Sequence, residues 1–122
     1  MDYPTPAAVA LAIAVMFKRS GKPRARLTEK TFRLVSRRTE RLHDSFITRV
    51  RVELEWRGII FYQLTRGGFG ILPAAALDGA PAIKAANFLK LEFESIRKGQ
   101  IDEEALSKEL GFPEDYEGDS DD

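Results

Sequence analysis

Arginine is the residue type through which this chain of 122 residues can do chemistry. Lys30, Arg33, Arg37 and Arg38 stand close together, Arg41, Arg49 and Arg51 follow, and Arg66 lies in a Thr-Arg-Gly-Gly stretch. A guanidinium offers its donors in a fixed fork that pairs bidentately with phosphate or with the acceptor edge of guanine, so the chemistry on offer is recognition of a polyanion. Exposed Lys and Arg also serve simply to solvate a helix face, and residue by residue the two readings stay open. Covalent chemistry has few carriers. The chain has no cysteine and a single histidine, His43, and no serine elbow, phosphate-binding glycine loop or His-Glu-x-x-His pattern occurs. Glu53 and Glu55 are two apart and diverge on a helix, so they do not form an acid and base pair. The acidic end, Glu114 to Asp122, lacks the glycine and spacing of a calcium loop. These features predict a protein that acts without catalysis, metal or cofactor.

The charge is unevenly spread although the formal net charge is zero. Residues 1–52 hold twelve Lys/Arg against four Asp/Glu, residues 53–90 four against three, and residues 91–122 three against twelve. A basic half followed by an acidic end suits a polyanion-binding surface with a tail that competes for it, or a solvated basic face with a solubilising tail. The longest apolar run, Ala7 to Phe17, is shorter than the roughly 20 residues a membrane span requires. Asp2 stands where a signal peptide carries positive charge. A cytoplasmic protein with no membrane contact is expected.

The elements that must position the arginines are legible from caps and periodicity. Thr5 and Pro6 suit a helix start and Gly21 a stop just past Lys18 and Arg19. Val9, Ile13 and Phe17 are four apart, and Leu11, Val15 and Met16 make this first helix apolar around much of its circumference. It is therefore a central core helix or the contact of a homodimer. Leu27 and Thr28 suit a staple and cap for a short second helix carrying Phe32 and Val35. After a break at Arg38 to Leu42, residues 42–57 form a third helix with Leu42, Phe46, Val50 and Leu54 spaced by four and Gly58 at its end. Arg41, Asp44, Ser45, Thr48, Arg51 and Val52 point away from that stripe, with Arg49 at its flank. Trp56 reads as a core or interface aromatic. Residues 59–72 form a hairpin whose tip uses Gly67 and Gly68 at positive φ, and one face of it, Ile60, Tyr62 and Leu64 or the alternate residues, must be covered by the helices. Residues 81–98 predict a fourth helix, Asp102 caps a short fifth ended by Gly111, and residues 112–122 lack apolar periodicity and are expected to be disordered.

The order helix, short "ARL" segment, helix, turn, helix, hairpin, with the Arg38–Leu42 break and the Gly-Gly tip, resembles the winged helix-turn-helix superfamily over about residues 5–75. That resemblance implies an α+β domain over 1–76, with a helical extension over 77–111 and an acidic tail over 112–122. It makes the third helix a recognition helix, with Arg41, Ser45, Thr48 and Arg49 as base contacts in double-stranded DNA, while Lys30, Arg33, Arg37, Arg38 and the wing residue Arg66 contact phosphates. Asp44 and Glu55 on that helix repel phosphate unless paired with Arg41 or Arg51. The implied role is transcription regulation, possible as a homodimer on paired half-sites. Winged helices are also protein-interaction modules, so an adaptor or inhibitor that binds a protein partner through the scaffold and the acidic tail is the alternative.

Overall fold

The computed structural model describes residues 3–111, which form an α+β chain of seven helices and one three-stranded antiparallel sheet among those residues. The chain divides into two compact units, Met1–Ala80 and Pro81–Asp122.

The first unit runs α1 (Pro6–Ser20), β1 (Ala25–Leu27), α2 (Glu29–Ser36), α3 (Asp44–Trp56), β2 (Ile59–Gln63), β3 (Phe69–Pro73) and the single turn α4 (Ala75–Asp78). The expected punctuation is realised. Thr5 Oγ1 accepts from the Ala8 N–H at 3.1 Å, Thr28 Oγ1 accepts from the Thr31 N–H at 3.1 Å, and Gly21 closes α1 at φ 69°. Each cap satisfies a donor or carbonyl that the helix cannot bond internally.

The sheet order is β1-β3-β2, so the last strand lies in the middle. Its register pairs Leu27 with Phe69, Arg26 with Gly70 and Ala25 with Ile71 on one side, and Phe61 with Ile71 and Tyr62 with Gly70 on the other. Alternation along each strand therefore sends Leu27, Ile59, Phe61, Phe69 and Ile71 into the core and leaves Arg26, Ile60, Tyr62 and Leu72 on the outer face. The hairpin buries the alternate set of the two that the sequence allowed.

α1 packs on α3, α3 on β2 and α1 on α2, around Val9, Ile13, Val50 and Leu54. Phe32 joins the helices to the sheet: its ring centroid lies 4.7 Å from Phe69, 5.9 Å from Phe61 and 6.0 Å from Phe46, and Phe61 stacks on Phe69 at 4.6 Å. Rings at these separations gain beyond their buried area. Leu11, Val15 and Met16 remain exposed on α1. Trp56 is 82% exposed, so it is not a core residue.

In the second unit the single helix expected over 81–98 is replaced by two one-turn segments, α5 (Ala85–Phe88) and α6 (Phe93–Arg97), followed by α7 (Glu103–Leu110). Leu89, at φ −126° and ψ 46°, leaves the helical region between them. Ile83, Phe88 and Leu91 are exposed. Good helix formers without a face to bury do not offset the cost of nucleating a long helix. α7 keeps its expected cap, the Asp102 carboxylate accepting from the Ala105 N–H at 3.1 Å, and Gly111 ends it at φ 92°. The expected acidic tail, residues 112–122, lies outside the described residues.

Candidate nucleic-acid interface

Three surface depressions on the first unit carry most of the cations singled out from the sequence. The first, about 280 Å³, lies between the hairpin tip and the start of α2 and is bordered by Arg26, Thr28, Glu29, Arg66, Gly67 and Gly68. The second, about 580 Å³, runs along α2 and is bordered by Glu29, Lys30, Arg33, Leu34 and Thr39. The third, about 290 Å³, is bordered by Tyr3, Arg38, Thr39, Glu40, Arg41 and His43. Glu29 is common to the first two and Thr39 to the last two, so neighbouring depressions share an edge residue, and the series makes a track from the hairpin tip across α2 to the start of α3.

The backbone explains why Arg66 reaches this track. Gly67 and Gly68 adopt φ 103° and 79°, and the Leu64 N–H donates to the Gly68 carbonyl at 2.9 Å. A Cβ on Gly68 would stand 2.8 Å from the Leu27 carbonyl oxygen and 3.5 Å from Thr28 Cα. The tip is thus seated directly on the β1–α2 joint, which a side chain at Gly68 would push away.

Two of the expected phosphate-contacting arginines make internal bonds. Arg33 pairs with Glu29 at 2.9 Å, and its Nη1 donates to the carbonyls of Arg38, at 3.3 Å, and Glu40. Arg38 is half-buried; its Nη1 donates to the Pro4 carbonyl at 3.2 Å and the Ser36 carbonyl at 2.9 Å, while its guanidinium carbon lies 3.7 Å from the Phe46 ring centroid and 5.0 Å from that of Tyr3. Both arginines therefore shape the α2–α3 loop. Lys30, Arg37, Arg41, Arg49 and Arg66 are exposed and make no ion pair among the described residues. Arg37 ends α2 at φ 61°, the one non-glycine residue at positive φ among the described residues.

On α3, Phe46, Val50 and Leu54 are buried, as the four-residue spacing predicts, with Ile47 buried beside them and Leu42 half-buried before the helix, and Ser45, Thr48, Arg49, Val52 and Trp56 are exposed on the opposite side. Arg51 pairs with Glu55 at 3.3 Å and Arg57 with Glu53 at 3.2 Å, so these carboxylates are partly neutralised along the helix. Arg41 precedes α3 and borders the track; Ser45, Thr48 and Arg49 border none of the three depressions. The structure thus gathers Lys30, Arg33, Arg38, Arg41 and Arg66, and leaves Arg37 and the α3 set on surface of their own.

Arg26 is not among the sequence candidates, yet it borders the same depression as Arg66. The signal was present: Leu27 belongs inside, so in an extended segment Arg26 belongs outside. No group of His, Cys, Asp and Glu suited to hold a metal ion occurs among the described residues, and no helix among them is long and apolar enough to cross a membrane. No family model matches the chain, and neither a curated protein nor a solved structure matches it.

Proposed function

We propose that this chain is a non-catalytic DNA-binding protein of winged-helix type that acts in transcription regulation. The observation that carries the reading is the series of neighbouring depressions that Arg66, Arg26, Lys30 and Arg41 border without ion-pair partners among the described residues. The element order and the β1-β3-β2 sheet support it. In this reading β2–β3 is the wing. Lys30, Arg37, Arg66 and Arg26 neutralise phosphates, Arg33 and Arg38 hold the loop that presents Arg41, and Arg41, Ser45, Thr48 and Arg49 meet base edges from α3 and its approach. The exposed α1 residues Leu11, Val15 and Met16 are the contact of a homodimer that sets two half-sites side by side.

Fluorescence anisotropy on a random duplex, titrated with salt, tests the reading. Affinity is expected to fall by about three decades or more from low to moderate salt, with a log–log slope that loses about 0.9 for each phosphate contact removed. A Lys30→Glu/Arg37→Glu/Arg66→Glu triple variant that binds duplex as the parent does would overturn it. Light scattering is expected to give a dimer mass that Leu11→Glu/Val15→Glu converts to the monomer.

A second reading, a protein-interaction module, is favoured by Trp56 and Val52 exposed along one side of α3. Trp56→Ala separates the two: it leaves duplex affinity within about twofold under the DNA reading and abolishes partner capture under the other.

A further inference from the structure

The outer face of the sheet carries a second, chemically different concavity, which shares Arg26 with the track. Arg26, Gly70 and Tyr62 form one row across β1, β3 and β2. Glycine in the central strand leaves the floor low between Arg26 and Tyr62, whose backbones stand roughly 10 Å apart, two strand spacings. Ile60 and Leu72 pair in an adjacent row, Arg24 lies two residues before Arg26 at the same rim, and Leu77 of α4 forms a wall. The groove has a volume of about 610 Å³, within the range of small-molecule sites. No Asp or Glu lines it, and neither Arg24 nor Arg26 makes an ion pair among the described residues. Tyr62 is 65% exposed and Leu77 58%, so the apolar lining is open to a ligand.

We infer that this groove binds an amphiphilic monocarboxylate, a hydrocarbon body with one anionic head. The body lies along Ile60, Leu72 and Leu77 against the Tyr62 ring, where its apolar area leaves water. The head accepts charge-assisted hydrogen bonds from the Arg24 and Arg26 guanidinium groups. The lining favours this over a stacked single-stranded nucleic acid. Apart from the Tyr62 hydroxyl and the two guanidinium groups its side chains are hydrocarbon, and the β3 backbone is engaged in ladders on both sides, so little is left to read a base edge.

Calorimetry of the full chain with butanoate, hexanoate, octanoate and decanoate, each kept below its micelle concentration, tests the inference, with octanamide and octylammonium as head-group controls. Affinity is expected to rise about fourfold per added methylene, the gain of burying one such group. Octanamide is expected to bind about tenfold or more weakly than octanoate, and octylammonium not measurably. Arg24→Gln/Arg26→Gln should erase the preference for carboxylate over amide and keep the dependence on chain length. Gly70→Val should abolish binding by filling the floor. A Cβ at position 70 meets the Leu64 side chain at 3.6 Å and the Tyr62 carbonyl at 4.0 Å, ordinary contacts, and an unchanged circular dichroism spectrum and unfolding midpoint check that the γ-methyl groups are accommodated as well. Should that variant unfold, Leu77→Asp at the exposed wall is expected to weaken octanoate by tenfold or more. No saturable binding, equal affinity for octanoate and octanamide, or octanoate binding indifferent to both Gly70→Val and Leu77→Asp would overturn the proposal. So would a poly-dT oligonucleotide that binds in a Gly70→Val-sensitive manner where octanoate does not.

Discussion

Arg37 and Arg38 are adjacent and carry the same charge, yet the fold gives them opposite tasks. Arg38 lies over Phe46 and reaches the carbonyls of Pro4 and Ser36, so it ties the segment before α1 to the end of α2. Removing those bonds and the ring contact by Arg38→Ala should cost about 2 kcal/mol, seen as a lower urea midpoint at unchanged slope, with the salt dependence of duplex binding unaltered. Arg38→Lys should recover little of this, because an ammonium cannot span two carbonyls and a ring face as the planar fork does. Arg37 instead occupies a left-handed position where helices favour glycine. Arg37→Gly should therefore raise stability by about 0.5–1 kcal/mol, the relieved backbone strain outweighing the added freedom of the unfolded chain. The same change should weaken duplex binding. A variant that is more stable and binds less is the signature of a side chain retained for a contact outside the fold, and calorimetric unfolding beside anisotropy reads both.

The capping residues made several elements legible from the chain alone: Thr5, Thr28 and Asp102 as helix starts, Gly21 and Gly111 as stops, and Gly67 with Gly68 as a hairpin tip. These are local hydrogen-bond and backbone demands, and local sequence carries them. The helix expected over 81–98 was misread because propensity says nothing about burial, and Ile83, Phe88 and Leu91 find no face to cover. The inward set of the hairpin is ambiguous in the sequence for a related reason, since two alternating sets are both apolar and only packing against the helices, with Phe32 on Phe61 and Phe69, selects the set of Ile59 and Phe61. At the candidate interface, charge and spacing named the cations but not the bonds of Arg33 and Arg38 to backbone carbonyls, which no residue pattern shows; the Glu29–Arg33 pair, four residues apart, is the internal bond that a pattern does show. The hairpin tip supplies the element-scale test. Gly67→Ala meets open space and bears only the positive-φ penalty of roughly 1–2 kcal/mol, whereas Gly68→Ala adds a collision with the Leu27 carbonyl. Thermal unfolding should rank Gly68→Ala clearly below Gly67→Ala. Only the former should also reduce the Arg66 contribution to duplex affinity, because it lifts the tip from α2.

Over the whole chain, the basic and acidic residues are segregated along the sequence: residues 1–52 carry an excess of eight positive charges and residues 91–122 an excess of nine negative charges. In the proposed DNA-binding reading the acidic end competes with nucleic acid for those cations, most strongly when counterions are scarce. Deleting residues 112–122 should tighten duplex binding at low salt, with the gain shrinking as salt rises; an unchanged affinity, together with loss of a bound protein partner, would assign the tail to that partner. A different consequence follows from the middle position of β3. Because β1 hydrogen-bonds to β3 and never to β2, the earliest strand to leave a ribosome has no mate until the latest one emerges. A nascent chain halted ahead of Phe69 therefore leaves β1 unpaired and Phe32 without one of its closest ring neighbours, and completing the sheet requires the loop from Leu27 to Phe69 to be closed.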